Sequence, residues 1–307
     1  MTSRDRTLSL GGLMGRAFQY TEFGAIIGFV VVFLVFSLIS RQFLTARTFA
    51  AILTVTAELG ILTVGIAFLM ISGEFDLSVG SVLAVAAMTL ALLLNQGIYP
   101  LVAFLICLVL GCLMGLVNGV ITLRADIPSF ITTLGMMMVW RGVLLAVSGG
   151  FVIRFEGHSA FVDALAQRFA GGFRTSALWL AGIVVVFEIV LSGTRYGNWV
   201  YATGGSKGVA RAMGVNTGRV KLVNFALSGL LAAVAGCITF GRFKLVDPTL
   251  GMGIELEAIA AAVIGGALLT GGYGSIFGAF LGAFLVGMVR TGLILAGAPA
   301  YWYRAFI

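Results

Sequence analysis

The sequence predicts an all-α integral membrane protein, a polytopic bundle of roughly ten transmembrane helices in a single domain over residues 1–307. Three observations carry this. Of the 307 residues, 60% are hydrophobic and only 10% charged, where a soluble domain carries about 25% charged residues. Mean hydropathy is +1.10, and a soluble protein so apolar would have no surface left to solvate. The apolar residues also fall into runs near the ~20 residues that cross a bilayer. Finally, glycine is abundant and proline scarce, 43 against 4, which suits helices that pack closely in lipid.

The elements follow in order. Residues 1–22 carry Arg4, Arg6 and Arg16 but no apolar core or small-residue cleavage site. They read as a cytoplasmic N-terminal tail, not a cleaved signal. Apolar runs at 23–40 and 49–72 form the first two spans. Residues 73–80, Gly-Glu-Phe-Asp-Leu-Ser-Val-Gly, are a polar, glycine-bracketed joint. Spans follow at 78–94, 99–123 and 129–147. A loop at 148–176 has room for a short amphipathic helix near 160–169, and a sixth span runs over 177–191. After the polar island 194–221, spans occupy 220–240, 256–269 and 275–296, the eighth short and broken by glycine. Residues 306–307 read as the first turn of a tenth helix that the chain does not include.

Gly111, Gly115 and Gly119 share one helix face, as do Gly274, Gly278 and Gly282; such faces pack against neighbouring helices. Asp76-Leu-Ser-Val-Gly80 after the second span is echoed by Asp247-Pro-Thr-Leu-Gly251 after the seventh. By span count the two lie on opposite sides of the membrane, the arrangement of inverted repeats.

The island 194–221 carries Arg195, Lys207, Arg211, Arg219 and Lys221 and no acidic residue. With the tail inside, the span count places the island inside too, so the two most basic segments face the cytoplasm. Arg41 and Arg47 fall outside against that rule, and Arg154, Arg168 and Arg174 fall in the outer loop with Glu156 and Asp163. A short helix is expected over 206–213, with Ser206 as N-cap and Gly214 at C′. The plain reading of the island is a loop that fixes topology; the sharper one is a handle on which a soluble partner pushes.

Ionisable residues in or beside the apolar runs are costly in lipid and should face protein or water. They are Glu58, Glu74, Asp76, Glu188, Glu255 and Glu257, with Arg141 and Arg290. Glu58 and Arg141 sit deepest and are candidates for a buried pair. Asp76 or Ser78 is expected to cap the third helix; a second reading places Glu74, Asp76, Ser78, Asn118 and Glu255 along a translocation path. Acids at Glu255 and Glu257 suit a helix N-terminus. Cys107, Cys112 and Cys237 lie in apolar runs without metal spacing, and an odd count argues against a disulfide framework. His158 is the single histidine, so neither a metal site nor a Ser–His–Asp set is expected. Gly205-Ser-Lys-Gly208 is too short for a phosphate loop. The net charge of +7 fits basic loops against anionic membrane lipids. No basic cluster has the aromatic interleaving of a nucleic-acid surface.

Four ordered stretches carry a resemblance. They are Gly73-Glu-Phe-Asp-Leu-Ser-Val-Gly-Ser81; Asn118-Gly-Val-Ile through Phe130-Ile-Thr-Thr-Leu and Met137-Met-Val-Trp-Arg-Gly142; Thr194-Arg-Tyr-Gly through Gly204-Gly, Ala210-Arg and Gly214-Val-Asn; and Gly253-Ile-Glu-Leu-Glu-Ala-Ile-Ala-Ala through Gly265-Gly, Gly271-Gly and Gly274. The chain resembles the ribose-type, simple-sugar permease subunits of bacterial ATP-binding cassette importers. The resemblance implies a ten-helix inner-membrane permease that forms a homodimer, with two cytoplasmic ATPase domains and a periplasmic sugar-binding protein. ATP would be bound by the partner subunit, so the chain needs no cofactor and is not itself an enzyme. Residues 194–221 look like the family's coupling segment, with Gly204, Gly205, Ala210, Arg211 and Gly214 matching its pattern. A further helix normally follows Tyr301-Trp-Tyr-Arg304. The expected function is import of a simple sugar or sugar alcohol. The alternatives are an importer permease for nucleosides or branched-chain amino acids, an ion-coupled secondary transporter using Glu58 or Glu188, and a membrane scaffold.

Overall fold

A computed structural model describes residues 23–299 together with Trp302 and Tyr303. The cytoplasmic tail and the start of a tenth helix, both expected from the sequence, lie outside the described residues. The apolar runs emerge as α1 (Phe23–Ile39), α2 (Ala46–Ile71), α3 (Val79–Asn95), α4 (Pro100–Ala125), α5 (Ser129–Ser148), α7 (Thr175–Gly193), α10 (Thr217–Phe243), α11 (Ile254–Ile264) and α12 (Ile276–Leu295). Shorter helices are α6 (Ala160–Ala166), α8 (Arg195–Gly205) and α9 (Lys207–Ala212). The one described sheet is a two-residue pair, β1 (Ile153–Arg154) antiparallel to β2 (Leu245–Val246). Six helices, α2, α4, α5, α7, α10 and α12, are long and apolar enough to cross a membrane. The protein is therefore a helical membrane protein.

The starts and stops follow local chemistry. Thr45 caps α2 by accepting from the Thr48 N–H, and Pro100 opens α4, where its missing N–H costs nothing. Ser159 caps α6 at Val162, the amphipathic helix expected near 160–169, and Ser275 caps α12 at Gly278.

The core lies where α2, α3 and α10 meet. The glycine faces pack within the protein, as their spacing predicts. A Cβ on Gly115 of α4 would overlap the Phe225 carbonyl of α10, and one on Gly282 of α12 would overlap the Ala261 carbonyl of α11. Outward, α5 presents Phe130, Ile131, Met138 and Val139, an apolar face suited to lipid or another membrane chain.

The eighth span is a correction. The run 256–269 forms only the 11-residue α11, which ends at Ile264. That helix is about 16 Å long, roughly half of a ~30 Å hydrocarbon core. Gly265 and Gly266 stop it, and irregular chain continues to Ser275. The ends that the span count puts on one side do meet. Lys221 of α10 pairs with Glu74, and the Gly272 N–H donates to the Ile71 carbonyl (2.8 Å). At the opposite end β1 joins β2.

Candidate functional site

After α2 the chain turns at Gly73 and forms no helix until Val79. It runs extended along α5. The Phe75 N–H donates to Ser129 Oγ and the Leu77 N–H to Thr133 Oγ1, both at 3.0 Å, and Ser81 Oγ donates to the Met137 carbonyl (2.9 Å). Partners four residues apart on a helix are about 6 Å apart along its axis. The segment therefore climbs into the bundle, and α3 begins at depth. Exposed backbone is not tolerated inside a bilayer unless protein covers it; the α5 hydroxyls and surrounding helices provide that cover.

Asp76 is fully buried at the head of α3. Its Oδ1 accepts from the Ser78 N–H (2.9 Å) and Ser78 Oγ (2.7 Å), with a long contact from Asn118 Nδ2 (3.5 Å). Its Oδ2 accepts from Ser228 Oγ of α10 (3.4 Å). Asn118 Nδ2 donates more closely to Ser78 Oγ (2.7 Å), and Trp140 Nε1 reaches Asn118 Oδ1 (3.4 Å). Three of the candidate path residues, Asp76, Ser78 and Asn118, thus form one network joining α3, α4, α5 and α10. The expected cap is refined: Ser78 occupies the N-cap position but its side chain does not cap α3, and Asp76 holds the Ser78 N–H instead.

A second broken span enters from the other end. Past β2, Asp247 Oδ1 accepts from the Thr249 N–H (2.7 Å) and Thr249 Oγ1 (2.5 Å). These donors hold the Asp247 carboxyl below the ordinary carboxylate range. Arg141 Nη1 donates to the Pro248 carbonyl (2.9 Å) and the Leu250 carbonyl (2.8 Å). α11 then starts at Ile254, with Glu255 Oε1 accepting from the Gly253 N–H (3.2 Å). Gly80 and Gly251 lie back to back: a Cβ on Gly80 would overlap the Gly251 carbonyl and stand 2.5 Å from Glu255 Oε2. Glu255, the fourth path candidate, therefore reaches the first turn of α3. Glu74, the fifth, stands apart from that network, paired with Lys221.

The expected Glu58–Arg141 pair does not form. Glu58 accepts from Arg242 Nη1 (2.7 Å), while Arg141 serves the two carbonyls above. Glu188 Oε2 accepts from the N–H groups of Ile276 (3.0 Å) and Phe277 (2.9 Å), at the start of α12. Among the described residues no group of three or more His, Cys, Asp or Glu is placed to hold a metal ion, and Cys107, Cys112 and Cys237 are free thiols.

The island is more structured than a polar loop. Residues 195–205 form α8, capped by Thr194 Oγ1 on the Gly197 N–H (3.3 Å). Sequence reasoning missed this helix, although Thr194 followed by Tyr196 and Val200 on one face was a usable signal. As expected, Ser206 caps α9 and Gly214 follows it with φ +83, a conformation that strains other residues. Ala210 is buried, whereas Lys207, Val209, Arg211 and Met213 are exposed. Gly204 and Gly205 turn the other way. A Cβ on Gly204 would overlap the Ile71 carbonyl, and Gly205 lies against Gly272. Tyr196 donates to Asn224 Oδ1 (2.6 Å), Asn224 Nδ2 to the Phe68 carbonyl (3.1 Å), and Tyr201 to the Gly274 carbonyl (2.7 Å). The island is thus joined to the end of α2 and to the loop before α12. The sequence reading singled out none of Ser129, Thr133, Trp140, Tyr196, Asn224 and Ser228 as site residues, although Thr133, Trp140 and Tyr196 lie in the quoted stretches; the Ser129–Thr133 spacing of one helical turn was the signal for two of them.

Residues 48–307 match the family described as "Branched-chain amino acid transport system / permease component". The ribose import permease protein RbsC of Escherichia coli (strain K12) is 35% identical over 282 residues, 91% of this chain and 87% of the relative. The autoinducer 2 import system permease protein LsrC of Escherichia coli O9:H4 (strain HS) is 36% identical over 283 residues, 92% of this chain and 82% of the relative. No solved structure matches. With its apolar helices, this is a multi-pass protein of the bacterial inner membrane. The chain belongs to that family of import-system permease components.

Proposed function

We propose that the chain is the transmembrane permease subunit of an ATP-binding cassette importer that carries a simple sugar or sugar alcohol inward, powered by ATP hydrolysis on a separate cytoplasmic subunit. The observation that carries this reading is the island: an exposed cationic helix, α9, fastened through α8 to the end of α2 and the base of a broken span. Such a part has a use where a soluble subunit pushes on it. The ribose and autoinducer 2 import permeases are the precedents for the cargo. In this reading residues 194–221 face the cytoplasm and 148–176 the periplasm. Gly204 and Gly205 are the pivot against the bundle, Gly214 ends the handle, and Ala210 and Arg211 belong to its docking helix.

The path runs by the meeting point of the broken spans, through Asp76, Ser78, Asn118 and Glu255, with Glu74 at its inner end. Half-helices whose N-termini meet inside a bundle are a recurrent setting for transported solutes. The matching Asp–Ser78 and Asp–Thr249 turns, with Gly80 against Gly251, support two inverted repeats. A tenth helix beyond Tyr303, a homodimer, surrounding lipids and a periplasmic sugar-binding protein complete the proposed assembly. The chain binds no ATP and no nucleic acid.

An ion-coupled carrier is disfavoured because Glu58 and Glu188 both have fixed structural partners. The test is uptake into proteoliposomes holding the permease, its ATPase and its binding protein. Sugar uptake that needs internal ATP and survives a protonophore is expected; uptake that collapses with the protonophore while ATP stays high would overturn the reading. Thermal-shift screening of the binding protein separates sugars from nucleosides and branched-chain amino acids.

A further inference from the structure

The extended half of the first broken span, residues 73–78, has no regular structure of its own to stiffen it. Its ties run to α5 through single neutral hydrogen bonds, to the Asp76 network, and to α10 through Glu74. The Glu74–Lys221 pair is unlike the others. Its side chains are only 12% and 9% exposed, and among the described residues it is the one ion pair that joins the segment 194–221 to the extended half-span. Lys221 is one turn into α10, whose first residue, Thr217, receives a bond from Arg211 Nε of α9 (3.0 Å). A chain of contacts therefore runs from α9 through Arg211–Thr217, one turn of α10 and Lys221–Glu74, from which two steps of backbone lead to Asp76. The remaining ties of α8 go to helix ends and the 271–274 loop, and its contact with the half-span is uncharged backbone packing of Gly204 beside Gly73.

We propose that the Glu74–Lys221 pair is the link that transmits movement of the cytoplasmic segment into the extended half-span, with both residues in positioning roles. The proposal rests on the importer reading. Its physical basis is that a shielded ion pair resists being pulled apart, since neither charge can be left alone in a poorly solvated place. Two elements held this way move together, while the neutral hydrogen bonds to α5 can exchange partners. Glu74 thereby gains a function separate from any contact with cargo.

The test compares Glu74→Gln, Lys221→Met, the double variant and the conservative Lys221→Arg in the reconstituted complex. The readout is sugar imported per ATP hydrolysed, a ratio insensitive to how much permease folds. Mutations along coupling networks shift coupling several-fold, so the neutral variants should lower the ratio about tenfold. The double variant should lose no more than either single one, because the link is already cut. Lys221→Arg should keep most of the wild-type ratio, and binding-protein-stimulated hydrolysis by Lys221→Met, a residue off the path, should stay within about twofold of wild type. Unchanged ratios in the neutral variants, losses that multiply in the double variant, or uptake and hydrolysis falling in step would each overturn the link. Wild-type complex that shows no ATP-dependent uptake would instead overturn the importer reading, and this inference with it.

Discussion

The two broken spans use the same local chemistry in opposite surroundings. Each turns on an aspartate that accepts from the N–H and hydroxyl two residues on, Ser78 in one and Thr249 in the other. Each then leads to a glycine, and those glycines touch. Asp76, however, is sealed inside the bundle and also meets Asn118 and Ser228, while Asp247 sits in a loop whose described backbone anchor is Arg141. An aspartate turn can therefore be a deep structural hub or a surface trimming. The helices packed around it decide which, because removing a hydrogen-bond partner is expensive only where water cannot replace it.

The largest effect is expected where the two spans touch. Gly80→Val would force apart α3 and the 251–254 turn, costing about 3 kcal/mol or more, and membrane abundance should collapse. Wild-type abundance would mean the crossing is loose and the comparison rests on a poor contact.

Next comes the buried hub. Asp76→Ala strands the Ser78 N–H and takes the acceptor from the Ser78 and Ser228 hydroxyls, for a loss of about 3 kcal/mol, visible as a lower melting temperature in detergent. A cost no larger than that of Asp247→Ala would erase the difference drawn between the two spans.

Arg141→Met leaves the Pro248 and Leu250 carbonyls without their guanidinium. About 2 kcal/mol is expected, read as faster proteolytic cutting within 247–253 while the remainder of the chain stays protected. Equal cutting in wild type and variant would show that the second broken span needs no such anchor.

The smallest effect belongs to Asp247→Ala, within about 0.5 kcal/mol. Its sign with pH is set by the lowered carboxyl: the turn's contribution is present at neutral pH, above the unfolded value, and fades as pH falls through the depressed folded one. The protection factor of the Thr249 amide, taken against the intrinsic exchange rate at each pH, should therefore fall on acidification in wild type but not in the Ala variant. A pH response that persists without the carboxyl would assign it elsewhere.

Much of the molecule was legible in one dimension. The apolar runs became helices within a few residues of their expected limits, the glycine faces became helix contacts, and Ser206 and Gly214 bounded α9. These features depend on hydropathy, small size and cap chemistry, which are local to the chain. α8 was lost because its polar, glycine-containing composition hid a short buried stripe of Gly197, Val200 and Thr203. The eighth span was overread because hydropathy cannot distinguish a full crossing from a half-helix followed by covered coil.

The sequence alone determined that the chain lives in a membrane, roughly where it crosses, and which segment is cationic and free of acidic residues, since each follows from residue type and spacing. Only the tertiary structure decided the pairings. Glu58 meets Arg242 and not Arg141, and Glu74 meets Lys221. A carboxylate in a poorly solvated bundle takes whichever donor the packing brings within reach, and reach is set by helices far apart in sequence: 147 residues separate Glu74 from Lys221 and 184 separate Glu58 from Arg242.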